Sequence, residues 1–184
     1  MRRSLPAVLG TIGLFLGVSS LAMQARSAST AVPTPGQLVG SYRYAGDRTK
    51  DENAIKAKSD VATAEMGRME LKRAVPRLES STRIPQRVSI LRQDGNVTFK
   101  MDDYVVAAPE NGSSAPVTTP LGETADASFD VKTATLLQSV AKTGGQKRNV
   151  FRFSETGELM MEVRITNSRL AAPVVFTLRY ARSE

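Results

Sequence analysis

Residues 148–182 read RNVFRFSETGELMMEVRITNSRLAAPVVFTLRYAR, and their pattern decides the fold. Phe151 and Phe153 alternate with Arg152, and a turn at Glu155-Thr156-Gly157 follows. Leu159, Met161, Val163 and Ile165 then alternate with Met160, Glu162, Arg164 and Thr166. After Asn167-Ser168 and a bend ending at Pro173, Val174, Phe176, Leu178 and Tyr180 alternate with Val175, Thr177 and Arg179. Side chains of a strand point to opposite faces in turn, so a period of two over three segments predicts an antiparallel sheet with one apolar face.

Working outward, the same period recurs upstream. Residues 38–44 form a first strand with Tyr42 and Tyr44 on one face, broken at Gly46-Asp47. A helix is predicted from a Thr49 cap, with Asp51 and Glu52 where the helix dipole favours carboxylates. Ile55, Ala62, Met66 and Met69 fall on one helical stripe; Gly67 is a point where the helix can divide, and Pro76 is expected to end it. Beyond Pro85, Val88 and Ile90 share a face, Asp94-Gly95 makes a hairpin turn, and Val97, Phe99 and Met101 return. Residues 104–107 give a fourth strand. Residues 109–126, rich in Pro, Gly, Ser and Thr, read as a long loop with room for a short strand at residues 117–119. Ala127, Phe129 and Val131 alternate, residues 136–142 follow, and Gly144-Gly145 turns into the C-terminal strands.

The expectation is a mainly β, antiparallel up-and-down barrel of about eight or nine strands, with a helix or helix pair inserted after the first. An outer-membrane barrel is a minor alternative, set back by short strands, sparse aromatics and a charged helical insertion.

Composition removes several chemistries. The 184 residues contain neither Cys nor His. Disulfides, thiolate zinc sites, imidazole ligation and Ser-His or Cys-His dyads are thereby excluded. Ser139 and Lys142 match Ser-x-x-Lys, but on a strand they face opposite sides. Asp102-Asp103 reads as a solvated turn. The chain is therefore expected not to be an enzyme, with acid catalysis by Asp or Glu left open, and no cofactor or metal is implied. The net charge of +7 includes Arg2, Arg3 and Arg26; without them 22 basic residues face 18 acidic ones, a dispersed excess of four. No basic block interleaved with aromatics marks a nucleic-acid footprint.

Arg2-Arg3 makes a positive n-region, residues 7–23 an apolar h-region, and small residues follow at Ala25, Ser27, Ala28, Ser29 and Ala31. This predicts a cleavable signal peptide over residues 1–31, a flexible lead-in over 32–37 and a single domain over 38–184. The mature chain is expected to be periplasmic or secreted from a bacterium, without a stable membrane anchor.

A strand carrying Gly-x-aromatic (Gly40, Tyr42), then a helical insertion, then a meander of hairpins resembles the element order of calycins. It is most similar to fatty-acid-binding proteins, whose helices follow the first strand and cap the barrel; lipocalins carry Gly-x-Trp at the same place. The resemblance spans most of residues 38–184 and implies a barrel with an interior guest. The family's Arg-x-Tyr carboxylate pair is not reproduced: Tyr180 and Arg182 share a face in reversed order. The chain also looks like a group of secreted bacterial proteins through Gly40-Ser41-Tyr42-Arg43-Tyr44, residues 161–166, Arg169-Leu170, Pro173 and Tyr180.

Two functions fit. The leading one is an exported, non-catalytic binding protein for a small hydrophobic or lipid-like ligand. Its candidate cavity residues are Tyr42, Phe99, Phe129, Phe151, Phe153, Phe176 and Tyr180, with Met66 and Met69 on a lid. The second is an envelope interaction or assembly protein with a solid barrel. Its protein partner would bind Arg152, Arg164 and Arg179, or Lys56, Lys58, Arg68, Lys72 and Arg73.

Overall fold

The computed structural model describes residues 38–132 and 134–183. The expected signal peptide and lead-in lie outside the described residues. Ten strands and two helices follow in order: β1 (Gly40–Tyr44), α1 (Arg48–Thr63), α2 (Arg68–Thr82), β2 (Arg87–Gln93), β3 (Asn96–Met101), β4 (Tyr104–Pro109), β5 (Ala115–Thr118), β6 (Thr124–Lys132), β7 (Thr135–Lys142), β8 (Gly145–Phe153), β9 (Leu159–Asn167) and β10 (Val174–Arg182).

All pairings are antiparallel, in the order β4-β3-β2-β1-β10-β9-β8-β7-β6-β5. The two ends of that order meet. After Pro109 the chain leaves β3 and crosses to β6, where the Gly112 N–H donates to the Phe129 carbonyl at 2.8 Å. Asn111 bridges Asp130 there, and β5 continues along β6. The result is a nearly closed up-and-down barrel with a helix pair after the first strand, as the alternation predicts.

The strand count corrects the expected eight or nine. Residues 109–126 are not one long loop but β5, a turn and the start of β6. The short strand given room at residues 117–119 is β5, which begins two residues earlier; Pro116 masks that start, because proline removes a ladder donor. β5 pairs with β6 alone, so Pro116 sits on an edge that needs no second row of donors. Four strands also reach nine residues, longer than the sequence suggests. Their outward rows nonetheless carry Arg152, Glu162, Arg164 and Arg179, whereas a lipid-facing band would be apolar.

The inward rows form one core. Val88 and Ile90 on β2, Val97 and Phe99 on β3, Met161 and Val163 on β9, and Leu178 and Tyr180 on β10 are buried together. Each such side chain contributes about 1.5–3 kcal/mol by leaving water. Asp94 (φ 51°) and Gly95 (φ 75°) make the two-residue β2–β3 hairpin, whose left-handed pair matches the twist of the strands. Asp102, also left-handed, accepts from the backbone N–H groups of Gln86 (3.0 Å) and Arg87 (2.9 Å), pinning the start of β2 to the β3–β4 turn.

The helices differ from expectation in three ways. Asp47, not Thr49, caps α1: its carboxylate accepts from Lys50 N–H at 3.0 Å. The helix divides before Gly67, which caps α2, and Ile55 and Ala62 are buried on α1 while Met69 on α2 is 68 % exposed. The four residues do not share one stripe. Pro76 does not end the helix; α2 runs on to Thr82. Proline cannot donate to the Lys72 carbonyl, but burial of Leu78 and Thr82, two and six residues later, holds the C-terminal half helical.

The helix pair fills a sector that β1 is too short to cover. β1 pairs with β10 only at residues 180–182, which leaves the upper part of β10 bonded to β9 alone. α1 packs there. Lys58 Nζ donates to the Val175 carbonyl at 2.5 Å, and Ala171 N–H donates to the Ala62 carbonyl at 2.9 Å.

Candidate ligand-binding site

The interior has two unlike halves. In the lower half large side chains meet across the barrel and fill it. The rings of Phe99 and Phe151 lie 4.8 Å apart and those of Tyr42 and Phe153 6.4 Å; Tyr44 and Tyr180, register partners on the neighbouring strands β1 and β10, meet edge-on at 5.8 Å. Tyr42 donates to the Leu38 carbonyl (2.9 Å) and Tyr180 to the Pro85 carbonyl (3.3 Å), so both phenols are satisfied. Burial raises the pKa of each.

The upper half is open. A cavity of about 850 Å³ lies between α2 and the mouth of the barrel, the size range of pockets that hold small organic ligands. Ala74 and Leu78 of α2 form its roof; Met101, Ala125, Val140 and Ile165 supply apolar wall. The turns β3–β4, β5–β6, β7–β8 and β9–β10 ring the opening.

Three successive rungs of β8 describe the descent. Lys147 stands opposite Val140 and Ile165, Asn149 opposite Gln138 and Val163, and Phe151 opposite Leu136 and Met161. Side chains two apart share a face, so Lys147, Asn149 and Phe151 all point inward, from charged through polar to apolar. Gln138 and Asn149, 0 % and 1 % exposed, are the lowest cavity-lining residues on their strands. Asn149 Nδ2 donates to Gln138 Oε1 at 2.6 Å; Gln138 Nε2 and Asn149 Oδ1 have no partner among the described residues. Lys147 Nζ donates to the Ser81 carbonyl of α2 at 2.7 Å, and burial pulls its ammonium from 10.5 down to about 8.

The roof is also held from the rim. Glu123, on the turn before β6, meets Arg77 of α2 at 2.9 Å and Lys142 of β7 at 2.8 Å. The hydrogen bond with Lys142, helped by both positive charges, keeps the Glu123 carboxyl below its usual range.

The nine residues expected at a cavity divide unevenly. Met66, in the link before α2, lines it. Met69 faces solvent. Tyr42, Phe99, Phe129, Phe151, Phe176 and Tyr180 are buried and Phe153 packs on them, but they fill the interior and do not line the cavity. Phe129 comes nearest, in register with Gln138. Tyr180 and Arg182 do not act together: Tyr180 is buried, while Arg182 is exposed and donates to the Val39 carbonyl at 3.0 Å. Gln138, Asn149 and Lys147 were missed, although each interrupts an inward apolar row with a polar residue.

No protein-family model matches the sequence, and no curated protein matches it. Solved structures do match in fold. One is apo Caenorhabditis elegans lipid binding protein 8, with a TM-score of 0.51 at 8 % identity over 80 % of this chain and 96 % of that one. A Schistosoma mansoni fatty acid binding protein in complex with arachidonic acid gives 0.50 at 14 % identity over 83 % of this chain and 100 % of that one. A fatty acid transporter, REP1-NXSQ, gives 0.50 at 13 % identity over 81 % and 98 %. At such identities the likeness is one of fold, and the fold is a calycin-like barrel of the fatty-acid-binding type.

Proposed function

We propose that this calycin-like barrel is a non-catalytic binding protein that holds one small amphipathic or lipid-like molecule in the cavity under α2. The observation that carries the reading is the division of the interior: a filled aromatic lower half beneath an apolar-walled space of about 850 Å³. A barrel serving only as an interaction surface gains nothing from leaving that space unfilled, since voids cost stability. The solid interior expected of an envelope assembly protein is found only in the lower half. The similar folds named as lipid and fatty acid binding proteins support the same reading. Export to the periplasm or beyond is part of the proposal and rests on the Arg2-Arg3, apolar and small-residue order of residues 1–31.

The test is native mass spectrometry of the purified chain after incubation with bacterial lipid extract, alongside displacement of an environment-sensitive hydrophobic dye. A stoichiometric adduct that competes with the dye is expected. A chain that takes up neither lipid nor dye is not a carrier.

A further inference from the structure

The floor of the cavity carries a hydrogen-bonding demand that none of the described residues meets. In the orientation described, Gln138 offers an unpaired NH2 and Asn149 an unpaired carbonyl, both shut off from bulk water. Exchanging the oxygen and nitrogen of both amides leaves the Gln138 carbonyl and the Asn149 NH2 unpaired instead. Either way one donor and one acceptor stand side by side without partners. Buried amide groups are rarely left so, because each unmet bond forfeits the interaction that water supplied. On the rung above, the Lys147 ammonium is already engaged, donating to the Ser81 carbonyl of α2 at 2.7 Å.

We infer that the Gln138–Asn149 pair seats the polar end of the guest, and that this end is a neutral group carrying one donor and one acceptor, as an alcohol or a primary amide does. The inference rests on the cavity being a ligand site. An ionised carboxylate fits less well, since it satisfies the NH2 but opposes the carbonyl, and the inward cation on the next rung of β8, Lys147, is already bonded to Ser81. Phe151, one rung below on β8, closes the barrel under the pair, so the apolar tail runs upward, toward Leu78 and Ala74 of α2.

The experiment compares dodecanol, dodecanamide, dodecanoate at pH 7.5 and dodecane as competitors of a bound dye, on the parent and on a Gln138→Leu/Asn149→Leu double variant. For the parent, dodecanol and dodecanamide should bind about tenfold or more tighter than dodecane and dodecanoate. The double variant replaces both partners by apolar groups, which buried pairs tolerate. It should bind dodecane at least as well as the parent does while losing the preference for the alcohol and the amide. A parent that binds dodecanoate best, or all four alike, overturns the inference while leaving the carrier reading intact. An unchanged order in the double variant also overturns it, as when one ordered water satisfies the pair. If the double variant does not fold, the parent's order decides alone. A parent that displaces dye with none of the four overturns both.

Discussion

Lys147 Nζ lies 2.7 Å from the carbonyl oxygen of Ser81, so the inward row of β8 is tied to the last turn of α2. The bond joins the barrel wall to its roof at a cost, because the ammonium is held where burial disfavours its charge.

That cost has a readable sign. Unfolded, Lys147 keeps its proton to near 10.5; folded, it loses it near 8. Between those values the unfolded chain binds more protons, so stability should rise with pH from about 8 to 10.5. Lys147→Met should be more stable than the parent at pH 7, by roughly 1 kcal/mol after loss of the bond to Ser81. Its rise above pH 8 should flatten. Urea denaturation at pH 7 and pH 9.5 measures both.

Glu123 is the second tie, joining Arg77 on α2 to Lys142 on β7. Its lowered pKa means the stabilisation is present at neutral pH and is lost as pH falls through the folded value. Glu123→Gln should leave the thermal midpoint nearly unchanged, because exposed ion pairs contribute little to global stability. Amide hydrogen exchange over residues 68–82 should nonetheless quicken, and dye should leave the cavity faster. Exchange unchanged in α2 would mean that Lys147 and apolar packing hold the roof alone.

Phe151 marks the boundary between filled and open interior. Its ring stacks at a tilt on Phe99, and both are fully buried. Phe151→Ala should cost about 3–5 kcal/mol and extend the cavity downward, since barrel walls cannot collapse into the void. Chemical denaturation gives the first number; stronger binding of longer alkyl chains would report the second.

Pro76 lies inside α2 and leaves the Lys72 carbonyl without its usual helical donor. Pro76→Ala should restore that bond and raise stability by about 1–2 kcal/mol, the gain being reduced by a freer unfolded chain. A lower thermal midpoint would show that the proline shapes the roof to fit its neighbours.

The barrel was legible because alternation states directly which side chains leave water, and it holds from Val88 to Tyr180 with few breaks. Whether the withdrawn side chains touch one another or surround a space depends on how two rows meet across the barrel, which no single row encodes. Phe151 and Phe153 therefore read as cavity lining and turned out to be filling. The better signal was the exception within the pattern. Lys147 and Asn149 keep step with Phe151 and Phe153, as Gln138 does with Leu136 and Val140; each is a polar residue in an inward slot. α2 was misread for another reason. The local penalty of Pro76 is real, but burial of Leu78 and Thr82 outweighs it, and tertiary contacts are invisible to propensity.

The short β1 has one more consequence. Where α1 stands in for the missing strand beside β10, the wall is joined by side-chain contacts and a few isolated bonds, not by a continuous ladder. That seam can part while every strand pairing elsewhere survives, so local opening beside β10 and unfolding of the whole barrel should run at separate rates, set by different parts of the molecule.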